Sequence, residues 1–132
     1  ANDIAADACR RNPDRFSACA AFDPRDVAGS VSEIERAMTR LKLNGAVLNS
    51  HFQGRYIDEP EFEPIVEALA AHDAALYIHP TAPWYFKPYG DRGFFGALGG
   101  FPHDVWLHAM GIVFSGLFDR YPDFRLVIGH MC

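Results

Sequence analysis

Apolar strand-like runs alternate with amphipathic helical stretches along the whole sequence, and that rhythm restricts the chain to a parallel sheet with helices packed outside it. Asn2 to Arg11 reads as the end of a helix, stopped by Asn12-Pro13-Asp14. Phe16 to Phe22 is a short apolar run closed by Asp23-Pro24, a strand. Ser30-Val31-Ser32-Glu33 has the form of a capping box. Val31, Ile34, Met38 and Leu41 then recur at helical steps, and Asn44-Gly45 ends that helix. Ala46 to Asn49 is the next strand. Asp58 to Glu61 opens a helix with Pro60 in its first turn and a buried stripe of Phe62, Ile65, Val66 and Leu69. Ala74 to Ile78 is a third strand, and a Gly-, Pro- and aromatic-rich loop follows from Thr81 to Pro102. Asp104 is placed to cap an apolar helix that runs to about Phe118, with Ser115-Gly116 inside it. After a turn at Tyr121-Pro122-Asp123, Leu126 to Ile128 is the fourth strand. The order α-β-α-β-α-β-α-β leaves two closures, an open doubly wound sheet or part of a barrel. A full (β/α)8 barrel takes about 250 residues. With 132 residues, the chain reads as a piece of a longer protein.

Composition narrows the functional classes. Twelve Lys and Arg against seventeen Asp and Glu give a net charge of −5, which argues against a phosphate-backbone partner. The longest uncharged apolar stretch, Val105 to Phe118, is 14 residues long. A membrane span needs about 20, so a buried helix is the expectation. No signal peptide is legible at the N-terminus. The three cysteines, Cys9, Cys19 and Cys132, make neither a disulfide framework nor a metal knuckle, so a reducing cytoplasm is the expected setting.

Parallel α/β folds place their chemistry where strands end. Here strand two ends Asn49-Ser50-His51, strand three His79-Pro80 and strand four Gly129-His130. Three of the six histidines thus stand where a site belongs. Imidazole suits such a place because it binds borderline divalent metals and moves protons near neutrality. His108 follows Asp104 by four residues, one helix face; both a satisfied core histidine and a substrate contact fit it. The loop aromatics, Trp84 and Phe101 among them, would wall an apolar ligand, fold over a small core of their own or pack on a partner subunit. No phosphate-binding glycine pattern and no nucleophile elbow occurs.

Several stretches together resemble the amidohydrolase-related family. They are Asn12-Pro-Asp-Arg-Phe16, Tyr56-Ile-Asp-Glu-Pro-Glu-Phe-Glu-Pro64, Tyr77-Ile-His-Pro80, Phe114-Ser-Gly-Leu-Phe-Asp-Arg-Tyr-Pro122 and Val127-Ile-Gly-His-Met131. The branch in question includes γ-resorcylate, 5-carboxyvanillate and aminocarboxymuconate semialdehyde decarboxylases. The resemblance implies part of a (β/α)8 TIM-type barrel, about four consecutive βα units, strands three to six. Residues 1–132 would then be a partial barrel domain without its flanking parts. It implies one divalent metal, zinc or manganese, with His79 as a ligand and His130 as the catalytic residue. It places His108 near the active-site loops, a candidate substrate contact beside Trp84 of the aromatic loop. Its remaining ligands and its proton donor would lie on the first and last strands, outside this sequence. The implied activity is non-oxidative decarboxylation of an aromatic or related unsaturated carboxylic acid. Hydrolysis of a lactone or amide and a non-catalytic fragment are the alternatives. Neither nucleic acid nor membrane is expected as a partner. The open flank of a half barrel calls for cover, such as a second copy of the protein.

Overall fold

The computed structural model describes residues 1–83, 85, 87–92 and 96–131. Helix α1 (Asn2–Arg11) leads into β1 (Cys19–Ala21); α2 (Val27–Arg36) runs on into one π-helical turn, Ala37–Leu41, before β2 (Gly45–Asn49). A 3-10 turn, Pro60–Phe62, opens α3 (Glu63–Ala71), and β3 (Ala75–His79) follows. Two short elements, α4 (Lys87–Gly90) and a 3-10 turn at Gly96–Leu98, precede α5 (Gly100–Phe114); α6 (Leu117–Arg120), β4 (Leu126–Ile128) and a 3-10 turn at Gly129–Met131 complete the order. The four strands lie in sequence order and all pairs are parallel.

Strand period two decides between the two closures. Ala46 and Leu48 on β2 and Leu76 and Ile78 on β3 are buried in one core with Ile34 of α2, Ile65 and Leu69 of α3, and Val105 and Ile112 of α5. Val47 and Tyr77, on the alternate face, are only partly buried, and Val127 in register with Tyr77 is exposed. A doubly wound sheet carries helices on both faces. Here the core helices share one face, as in a wall of a barrel.

Several helix ends differ from the sequence expectation. Asp26, not Ser30, caps α2 by accepting the Gly29 N–H at 2.9 Å. Ser30 lies inside the helix and donates to the Asp23 carbonyl at 2.6 Å. The turn after that helix is made by Lys42 in the left-handed region (φ 58°), while Gly45 already belongs to β2. Only Cys19–Ala21 of the Phe16–Phe22 run is strand. Its edge is closed by a side chain: the Asn2 carboxamide accepts from the Ala21 N–H at 2.9 Å and donates to the Ala21 carbonyl at 2.8 Å, mimicking a strand. The Ser115-Gly116 pair breaks the last helix rather than lying inside it, with Gly116 at φ 73°.

Gly45 has a packing reason. A Cβ there would lie 2.6 Å from the Ala75 carbonyl oxygen, a backbone atom of the neighbouring strand. Gly45→Ala is therefore expected to push β2 from β3 and to cost about 1–3 kcal/mol, as overpacked cores do. A lowered denaturant midpoint with an unchanged slope checks this.

Candidate functional site

His79 is the last residue of β3 and is exposed, level with Asn49 on β2. Ile128 pairs with Ile78, so the turn after β4 carries His130 to the same rim. His130 takes a left-handed backbone (φ 58°, ψ 31°), a conformation uncommon for a residue with a Cβ. Gly129 makes the approach possible: a Cβ on it would lie 2.8 Å from the Ile78 carbonyl oxygen and 2.9 Å from the Tyr77 hydroxyl. The imidazoles of His79 and His130 stand edge to face with centroids 5.3 Å apart. Phe101, from the first turn of α5, has its ring 6.0 Å from His130. These two histidines, read from sequence as strand-end candidates, are brought together by the fold.

Behind this rim lies a buried polar seam. Asp104 is fully buried within α5 and is not its cap; the helix begins at Gly100. Its Oδ2 accepts from the Ser50 hydroxyl, and its Oδ1 accepts from the Tyr56 hydroxyl at 3.0 Å. The Tyr85 hydroxyl faces the same carboxylate. Burial first, and then the Asp104 charge, push its pKa up to about 12. Ser50 and Tyr56 escaped the sequence reading as site residues. The signal for Asp104 was its four-residue spacing from His108, which put both on the buried face.

His108 is 1% exposed. Its Nε2 accepts the Ile57 N–H at 3.1 Å, which leaves the proton of a neutral ring on Nδ1. Burial lowers its pKa to about 4; the Ser50 backbone pulls the other way, although Nδ1 closes no hydrogen bond of normal geometry. A ring so enclosed lies behind the rim, packed edge to face on Tyr56 with centroids 5.1 Å apart. His51, by contrast, is engaged on both nitrogens. Nδ1 accepts the Gly54 N–H at 3.3 Å, and Nε2 donates to the Ala82 carbonyl at 3.0 Å. It ties two loops together instead of pointing a free nitrogen at the rim. His103 is exposed at the start of α5, its ring 5.7 Å from that of Tyr85. Trp84, Phe86, Phe94, Phe95 and Cys132 lie outside the described residues.

The donor chemistry at the rim fits part of a metal site. Exposed imidazole at a strand end is a usual ligand for zinc or manganese. Among the described residues, no group of three His, Cys, Asp or Glu side chains is close enough to hold a metal ion. The described residues thus offer an imidazole such as that of His79 but no complete ligand set. A cleft of about 410 Å³ opens at the ends of β1 and β2, lined by Phe22, Arg25, Asn49 and His51 among others. The larger cleft, about 670 Å³, lies at the opposite end of the sheet, around Ala74, Arg120 and Arg125. Parallel barrels do not carry chemistry at that end. Among the described residues, no helix is long and apolar enough to cross a membrane.

A helix-backed parallel wall with histidines at the ends of neighbouring strands defines a segment of a (β/α)8 barrel. The family model described as amidohydrolase matches residues 1–132, and the chain belongs to that family. It is 32% identical to γ-resorcylate decarboxylase of Rhodococcus jostii over 99% of this chain and 44% of that protein. The crystal structure of 5-carboxyvanillate decarboxylase from Sphingomonas paucimobilis superposes with a TM-score of 0.92 at 43% identity, over 99% of this chain and 40% of that one. The corresponding enzyme of Novosphingobium aromaticivorans, solved with manganese and 4-hydroxy-3-methoxy-5-nitrobenzoic acid, gives a TM-score of 0.93 at 40% identity over 98% of this chain and 38% of that one. The chain thus spans less than half the length of these relatives.

Proposed function

We propose that the protein carrying this chain is a divalent-metal-dependent, non-oxidative decarboxylase of an aromatic carboxylic acid. The observation that carries the reading is the His79–His130 pair, with rings 5.3 Å apart on one strand-end rim. Relatives named as aromatic-acid decarboxylases across the whole chain support it. The cation is manganese or zinc. When bound, it supplies a Lewis-acidic point that grips a carboxylate or phenolic oxygen. His79 holds it through one imidazole nitrogen. His130 is the catalytic residue of this segment: it hydrogen-bonds the charge on the substrate carboxylate or phenolic oxygen and orients the ring. Phe101 and Trp84 wall the ring and keep water from it. His108 stays behind the rim as packing. In the reaction the bond from ring carbon to carboxylate breaks, carbon dioxide leaves, and a proton takes its place on the ring. The remaining metal ligands and the proton donor belong to the rest of the barrel, of which residues 1–132 are a part. The free thiols of Cys9 and Cys19 suit a cytoplasmic setting. Exposed Trp106, Val113 and Phe114 on α5 suit cover by a second copy.

The test is carbon dioxide release from a panel of hydroxybenzoates and methoxy-hydroxybenzoates, with lactones and amides beside them. Turnover of at least one aromatic acid that stops on chelation and returns with Mn²⁺ or Zn²⁺ is expected. Turnover of lactones or amides with no acid decarboxylated overturns the reading in favour of a hydrolase.

A further inference from the structure

The His79 ring is held by no hydrogen bond among the described residues; its ring neighbours are Tyr77, at 6.1 Å, and His130. Metal-binding imidazoles are ordinarily oriented by a partner on the second nitrogen. Here direction must come from the backbone that carries the ring, and that backbone is gripped on both sides by one residue. The Ser50 N–H donates to the His79 carbonyl at 2.7 Å. The Ser50 hydroxyl oxygen accepts the Thr81 N–H at 3.1 Å. Between these points sits Pro80, buried, with its φ fixed and no N–H of its own. The hydroxyl can face Thr81 with a lone pair because its proton is committed to Asp104. Asp104 is in turn held by the Tyr56 hydroxyl. Ser50 and Asp104 are both 0% exposed, so water does not compete for these bonds.

We infer that Ser50 and Asp104 are positioning residues for His79, which fix the His79-Pro80-Thr81 segment and so aim the imidazole at the metal position. A carboxylate in this seam is costly to bury unless its acceptors are filled. Apolar packing commonly joins two elements as firmly as a buried polar pair; what the Ser50–Asp104 chain adds is direction. The inference rests on the reading of His79 as a metal ligand.

The experiment is Mn²⁺ titration of the whole protein, followed by electron paramagnetic resonance, together with amide hydrogen exchange at Thr81 in the metal-free form. Ser50→Ala should bind Mn²⁺ at least about 10-fold more weakly, the loss usual for an orienting partner, and its Thr81 amide should lose protection. Asp104→Asn, which keeps the volume, should weaken Mn²⁺ in the same direction, and Tyr56→Phe by less. If Ser50→Ala does not fold, Asp104→Asn decides by the same two measurements. Wild-type Mn²⁺ affinity in folded Ser50→Ala or Asp104→Asn, with only the melting temperature lowered, overturns the inference. His79→Ala separates the two readings. If it loses Mn²⁺ while the seam variants keep it, His79 stands as a ligand and the positioning role falls. If His79→Ala itself keeps wild-type affinity, the ligand reading falls, and the positioning role with it.

Discussion

Replacing His79 by alanine is expected to lower the Mn²⁺ affinity of the protein by more than about 100-fold, since loss of an outer partner alone typically costs about 10–100-fold. His130→Ala should behave differently. It should keep its metal within a few-fold and lose about 10²–10³-fold in decarboxylation rate, the usual effect of removing one donor to a developing charge. The split follows from the backbone. His79 continues an extended strand whose register with Asn49 is fixed, whereas His130 sits in a left-handed turn beyond β4. Metal content after dialysis and carbon dioxide release, measured on both variants, check the pair of outcomes. Metal retained by His79→Ala, or metal lost by His130→Ala with full activity on reconstitution, contradicts the assignment of roles.

The second large effect concerns acid stability. Burial holds the His108 pKa near 4, against an ordinary value of 6.5. The unfolded chain therefore binds more protons than the folded one between those values, and stability falls as pH drops through that window. The contribution is intact above about pH 6.5 and gone below about pH 4. The full change between those two pH values is about 3 kcal/mol. His108→Gln keeps an acceptor for the Ile57 N–H and cannot titrate. It should be less stable than wild type at pH 7.5, through poorer packing, and should lose about 3 kcal/mol less on acidification to pH 4. Asp58 contributes with the opposite sign, because burial raises its pKa; that term is common to both proteins and cancels in the comparison. Denaturant melts of the two proteins at a series of pH values measure the effect. Parallel pH profiles would show that His108 is not the titrating group.

The elements that the sequence displayed most clearly are those whose signal is local. Phe62, Ile65, Val66 and Leu69 repeat at helical steps and all four are buried. Leu126 to Ile128 is the fourth strand. Helix ends were less legible, because a cap depends on which of several polar residues meets the first turn. Asp26 and Ser30 are both competent, and the Asp23 carbonyl captures the Ser30 hydroxyl. Asp104 was the largest departure. A carboxylate early in an apolar run has the look of a cap, and only the approach of Ser50 and Tyr56, 54 and 48 residues away in sequence, makes it a buried acceptor.

By itself the sequence determined the parallel α/β class of fold and the strand-end places of His51, His79 and His130, because period, turn residues and strand termini are properties of neighbouring residues. The tertiary structure alone decided that the core helices line one face of the sheet. It also decided that His108 is buried, that His51 bonds two loops together, and that Ser50, Tyr56 and Asp104 form one chain behind His79. Those outcomes depend on which distant groups share a space too small for water, and no local pattern encodes that.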